Sequence, residues 1–225
     1  MIQKFLIPAG DAWLDELIYR YLLIRGDSLG GSMRNLVGAI AEMKLKRKLL
    51  AILSLHQIPF VILKKANRAS NNWMRVNYED AFDDADEICA ISWKYSSIDK
   101  VLFFNATIPL VKNNVDISLY RGTPSIYKSG RIVNDNDRAI MFGELKGGID
   151  PAGADEHWKT GNTALTRIRK AFEAYQIKTS FVGAAIEKKM AGEIFDQLEN
   201  GVLTNAANLT YDEHLTNYCE WLVRL

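Results

Sequence analysis

The chain has 225 residues, 48% of them hydrophobic and 24% charged, and a formal net charge of +1. This composition excludes disordered and collagen-like classes and describes a globular chain able to bury a substantial core, expected as one domain. No apolar run approaches the length of a bilayer span, and MIQKFLIPAGDAWLDEL turns acidic before a signal-peptide core could form, so a soluble cytoplasmic protein is expected. The near-neutral charge neither demands nor forbids nucleic acid, because carboxylates gathered around a metal can offset a basic cleft. Cys89 and Cys219, the only two cysteines, lack C-x-x-C spacing, which supports neither a disulfide framework nor a zinc site.

Trp13, Leu14, Leu17, Ile18, Tyr21 and Leu22 recur at helical spacing, predicting a helix over 11–24. The glycines between Gly26 and Ser32 predict a break. A second helix is expected over 33–55, with Leu36, Ile40, Met43, Leu50 and Leu53 facing inward and Lys44, Lys46, Arg47 and Lys48 forming a solvated face. Phe60–Leu63 reads as a short strand and 66–78 as a polar surface loop. Further strands are expected over 88–93, 100–108, 115–120 and at the end of 132–146, with a polar turn at 134–137. A helix over 154–175, a strand over 180–186, a helix over 187–201 and a helix from Asp212 complete the order. Helices, then a strand meander, then strand–helix–strand–helix indicate an α/β fold with a mixed β-sheet flanked by helices. The N-terminal helical segment occupies 1–58 of this domain, and the sheet with its flanking helices 59–225.

Gly26-Asp27-Ser28-Leu29 matches the letters of a serine esterase family. A nucleophilic serine needs a base, an orienting acid and an oxyanion donor. The mid-chain Gly-x-Asn-Asp block is absent, and Asp155-Glu-His157 and Asp212-Glu-His214 each fall one residue short of Asp-x-x-His. A phosphate loop fails too, since no Gly-Lys-Ser/Thr follows, and no nucleotide cofactor is expected. What remains is a glycine break feeding a helix N-terminus, a setting for a phosphate beside Arg34.

The pattern with chemical content is IMFGELKGG. Strand alternation puts Phe142, Glu144 and Lys146 on one face. In VDISLY, Val115, Ile117 and Leu119 should share one face, and Asp116, Ser118 and Tyr120 the other. If these strands are neighbours, Asp116 meets Glu144 and Lys146. Two carboxylates can hold a hard cation such as Mg2+, and a lysine can orient water or stabilise added negative charge. Glu-x-Lys occurs three times, at Glu42, Glu144 and Glu187, but the other two copies lie on predicted helices, where residues i and i+2 point apart.

Asp116-(x)27-Glu144-x-Lys146 resembles the active-site pattern of the PD-(D/E)XK nuclease superfamily, in its type II restriction endonuclease branch, with Val115 in place of the motif's proline. GELKGGIDPAGADEHWKT is similar to the catalytic segment of some of these enzymes, and LGGSMRN to a stretch near their start. The resemblance implies a restriction-endonuclease-like fold and Mg2+-dependent hydrolysis of double-stranded DNA at a short palindromic site, giving 5′-phosphate ends. A palindrome with one active site per chain implies a homodimer. It also implies catalytic roles for Asp116, Glu144 and Lys146, metal ligation by Asp116 and Glu144, and a place beside the scissile phosphate for His157. Glu42, on an early helix, is the candidate for a further metal ligand. Candidate DNA contacts are Ser32, Arg34, Asn35, Arg68, Asn71, Arg75 and Lys159. Alternatives are a repair or recombination nuclease on the same fold, a silent DNA-binding module, and the esterase. His56 and His214 read as structural.

Overall fold

No proline interrupts the chain between Pro8 and Pro59, and the expected break at Gly26–Ser32 does not form. In the computed structural model, which describes residues 2–126 and 135–225 and not the side chains of Asp27, Pro151 and Ala152, helix α1 spans Trp13–Leu55. Each helical glycine costs about 1 kcal/mol, yet Ser32 Oγ donates to the Ser28 carbonyl at 3.0 Å and Arg34 Nε to that of Gly30 at 3.2 Å. These side chains follow the helical backbone instead of breaking it. The proposed phosphate-binding helix N-terminus at Ser32 is therefore absent, and Ser28 occupies no nucleophile turn.

The chain divides into two units, Met1–Val37 and Gly38–Leu225. In the first, the Arg20 guanidinium lies 3.4 Å from the Phe5 ring centroid and pairs with Glu16 at 2.6 Å. Leu36, expected inside, is half-exposed.

In the second unit, α1 buries Ala41, Leu45, Leu49 and Leu53, an i, i+4 stripe, together with Leu50 and Ile52. Ile40 is half-exposed. The expected lysine face is only partly solvated. Lys44 is exposed, whereas Lys46 is fully buried, Arg47 stacks on Phe82 and Lys48 pairs with Asp212 at 2.7 Å.

Among the described residues eight strands form one sheet, β1 (Phe60–Lys64), β2 (Met74–Arg75), β3 (Ile88–Tyr95), β4 (Ile98–Ile108), β5 (Asn113–Arg121), β6 (Ala139–Lys146), β7 (Lys178–Gly183) and β8 (Asn205–Asn208). Their order is β2-β1-β3-β4-β5-β6-β7-β8. Pairing is antiparallel through β6 and parallel from β6 to β8. The parallel part is connected by α3 (Pro151–Ala171) and α4 (Lys188–Glu199), and α5 (Asp212–Arg224) follows β8. The expected mixed sheet flanked by helices is thus present. The residues foreseen as one loop at 66–78 include β2, and two elements were not foreseen: β8, and α2 (Tyr78–Asp83), capped by Asn77, whose side chain accepts from Asp80 N at 2.8 Å. All three are too short to show a period. The expected turn at 134–137 falls partly outside the described residues.

Two apolar clusters cover the two faces of the sheet. Leu45, Leu49 and Leu53 of α1 and Leu215 and Leu222 of α5 pack with Ile91, Leu119 and Met141. Trp158, Leu165 and Ile168 of α3, Phe172 just beyond its end, and Ile194 of α4 pack with Phe103, Tyr120, Phe142 and Phe181. Among the described residues no helix is long and apolar enough to cross a membrane.

Candidate active site

The β5/β6 ladder pairs Leu119 with Met141, Ser118 with Phe142 and Ile117 with Gly143. One step further, the same register sets Asp116 across from Glu144. There the ladder gives way to side-chain contacts. Asp116 Oδ2 accepts from the Leu145 backbone N–H at 2.8 Å and lies 3.5 Å from Lys146 Nζ. Lys146 Nζ donates to Glu144 Oε2 at 2.6 Å. The three residues named from the sequence therefore meet at the C-terminal end of β6, where the sheet changes from antiparallel to parallel pairing.

Glu144 is only 4% exposed. Burial first, and the neighbouring Asp116 carboxylate second, push its carboxyl up to about 7. Burial alone would lower Lys146, but Asp116 and Glu144 outweigh it and raise the amine. Lys146 is thus held protonated between two carboxylates, one of which is poised near neutrality.

Three glycines let the backbone approach these groups. A β-carbon on Gly143 would lie 2.6 Å from Ser180 Oγ. One on Gly161 of α3 would lie 2.7 Å from Phe181 Cε2 and 3.7 Å from Lys146 Cε. One on Gly148 would meet His157 Nε2 at 2.1 Å. The His157 ring thus rests on the backbone two residues beyond Lys146. Neither Gly148 nor Gly161 stands out in the sequence, because a glycine's reason for being small lies in its spatial neighbour.

Phe142 joins one apolar cluster and Met141 the other, as strand alternation requires. The expectation for β5 fails at one residue. Val115 packs in the cluster of Tyr120, not with Ile117 and Leu119. The alternation reverses at Asp116.

Glu42 is engaged by Lys46 on its own helix and by Asn105 of β4. Among the described residues no three His, Cys, Asp or Glu side chains converge as a metal-holding group, so Glu42 does not form one with Asp116 and Glu144. Lys159 pairs with Asp155 at 2.5 Å. Arg75 is exposed on β2, Arg68 is half-buried, and Asn71, at φ 52°, accepts from Trp73 Nε1 at 3.0 Å. β2 is the edge strand, four strands from β5, roughly 19 Å at about 4.8 Å per strand. Ser32, Arg34 and Asn35 lie on α1 in the first unit.

Comparison with known proteins gives the family. The restriction endonuclease BsobI family matches residues 1–225. The type II restriction enzyme BsoBI of Geobacillus stearothermophilus is 48% identical over 227 residues, covering 100% of this chain and 70% of that protein. The type II restriction enzyme AvaI of Nostoc sp. is 45% identical over 230 residues, with the same coverage, and AvaI of Anabaena variabilis matches equally. With its whole length matched and an Asp–Glu–Lys cluster at the β5/β6 end, the chain belongs to the BsobI restriction endonuclease family.

Proposed function

We propose that this restriction endonuclease hydrolyses phosphodiester bonds of double-stranded DNA at a short palindromic site, with Mg2+, leaving 5′-phosphate and 3′-hydroxyl ends. The observation that carries the reading is the convergence of Asp116, Glu144 and Lys146 at the end of β6. The donor set suits Mg2+, a hard cation commonly held by one or two carboxylates with water and substrate phosphate completing its shell. Asp116 and Glu144 would hold it, and a cation there would offset the burial and the Asp116 charge that raise the Glu144 carboxyl. Bound Mg2+ supplies Lewis-acid polarisation of the phosphate and acidifies water.

The residues of the chain do the rest. Lys146, kept charged by its two carboxylates, stabilises the negative charge that builds on the phosphate oxygens as water adds and the 3′-oxygen departs. Its raised pKa suits it to this electrostatic role better than to that of a base. His157, against Gly148, accepts a proton or contacts the phosphate. Ser32, Arg34, Asn35, Arg68, Asn71, Arg75 and Lys159 contact DNA, the basic ones chiefly through phosphates, so affinity falls with salt. A homodimer in the cytoplasm would match the two-fold symmetry of a palindrome.

Incubating plasmid DNA with the protein, in Mg2+ and in EDTA, tests the reading. Discrete fragments in Mg2+ alone are expected, with 5′-phosphates at the sequenced ends. A smear would contradict site specificity, and intact DNA with every divalent cation would overturn the hydrolysis.

A further inference from the structure

The reversal of alternation in β5 has a counterpart in β4. Leu102 and Phe104 pack in the cluster of Ile117 and Leu119. Val101 and Phe103 pack in the opposite one, but so do Ala106 and Ile108, with Val115. The phase of both strands therefore shifts between the pairs Phe104–Ile117 and Ala106–Val115. The residues between those pairs are Asn105 and, across from it, Asp116. Asn105 has φ 49°, a left-handed conformation that Asn adopts more readily than other non-glycine residues.

The shift bears on the site. Continued in phase, β5 would send Val115 to the face of Ile117 and extend the ladder to Leu145, whose register partner is Val115. Instead the Leu145 N–H is taken by the Asp116 carboxylate. The left-handed turn at Asn105 lies where both strands change phase, beside the Asp116 carboxylate that reaches Lys146. The Asn105 side chain is held from two directions: Nδ2 donates to Glu42 of α1, and Oδ1 accepts from Asn114 Nδ2 of β5 at 3.2 Å. Glu42 is fixed in turn by Lys46, whose ammonium lies 5.0 Å from the Phe104 ring centroid.

We infer that Asn105 is a positioning residue: its left-handed backbone, anchored through Glu42 and Asn114, aims Asp116 at the Leu145 N–H and Lys146. Asn105 touches no reacting atom in this account, which rests on the proposed role of Asp116 as a metal-holding carboxylate.

The test compares Asn105→Gly with Asn105→Ala. Both remove the amide and its bonds to Glu42 and Asn114, and they differ only in how readily they adopt positive φ. At an ordinary strand position Ala is the better tolerated of the two. Here the order inverts. The Gly variant keeps single-turnover cleavage within about tenfold of wild type, while the Ala variant loses up to about 100-fold, the scale of a small misplacement of a catalytic group. The Mg2+-induced rise in Tm shrinks more in Ala than in Gly, whereas DNA affinity in EDTA stays at the wild-type value in both. Ala matching or exceeding Gly in cleavage and in the Mg2+-induced shift overturns the inference. If the Ala variant does not fold, Asn105→His, which also tolerates positive φ and sets no second carboxylate against Glu42, takes its place. Cleavage and Mg2+ response nearer to those of Gly than to those of Asp116→Asn support the inference, and loss equal to that of Asp116→Asn overturns it. Asp116→Asn itself separates the two levels. If it cuts and responds to Mg2+ like wild type, the site assignment fails; if it is inactive while Asn105→Ala is normal, only the positioning role fails.

Discussion

Three lysines with different carboxylate company show what sets the charge of a buried amine in this fold. Lys100 is fully buried, pairs with no carboxylate among the described residues, and donates to the Val223 carbonyl at 2.8 Å; burial pulls it down to about 8. Lys46, equally buried, has one carboxylate, Glu42, and burial still wins, so its pKa is lowered. Lys146 has two, Asp116 and Glu144, and a side chain 24% exposed, and its pKa is raised. One carboxylate does not offset desolvation here. Two do, and on Glu144 itself burial, with Asp116 second, favours the neutral acid and pushes the carboxyl up to about 7. Glu42/Lys46 and Glu144/Lys146 thus share a residue pair but not an electrostatic state, since the helical pair is joined by the neutral Asn105 amide and the strand pair by a second carboxylate from β5.

The sharpest contrast comes from the same substitution at both lysines. Lys146→Met should lower single-turnover cleavage by about 10²–10³-fold, the usual scale for deleting a group that stabilises transition-state charge. Lys46→Met should cost under about tenfold, because it touches the site only through Glu42 and Asn105. Equal losses would break the contrast. Glu144 gives the next largest effect. The fold favours its protonated form, so its contribution to stability is fully present below the ordinary carboxylate range and is lost as pH rises through about 7. Without metal, Tm should therefore fall between pH 5 and 8, and Asp116→Asn should flatten that slope; an unchanged slope would remove Asp116 as a cause.

Lys100 tests the other end of the series. Its lowered pKa contributes stability above the unfolded value near 10.5, and that contribution is lost as pH falls through about 8. Lys100→Met should then raise stability at pH 7 on the order of 1–3 kcal/mol, and by less at pH 9.5, as measured by urea unfolding. The smallest effect is expected at Gly161. Gly161→Ala sets a methyl 2.7 Å from Phe181 and 3.7 Å from the Lys146 stem, so a loss of about 1–2 kcal/mol is expected from overpacking. A neutral result in the same unfolding assay would mean that the Phe181 ring gives way freely.

Period and spacing made the sheet and its crossover helices legible, because strands such as β3 and β4 and a helix such as α3 are long enough to repeat a pattern. They misjudged α1. Glycines at 26, 30 and 31 read as a break, yet without proline or a competing cap the helix continues, and Lys46 looked solvated although tertiary packing buries it. β2, α2 and β8 carry too few residues for any period. Asp116, Glu144 and Lys146 were nameable because the alternation of β6 and one motif spacing coincide at them, although the alternation of β5 breaks at Asp116. Asn105 was not, since one asparagine in an apolar strand carries no signal until the partner strand is seen to change phase with it.

The sequence by itself determined which side chains could gather: strand periodicity put Glu144 and Lys146 on one face, and local residue types set where most elements begin and end. Only the tertiary structure decided their state. The pairing of β5 with β6 brings Asp116 to Glu144, Gly161 lets α3 approach Phe181 and the Lys146 stem closely, and the left-handed turn in β4 lies where Asp116 leaves the ladder. Charge regulation depends on distance and desolvation, and both are properties of residues far apart in the chain that meet only when it folds.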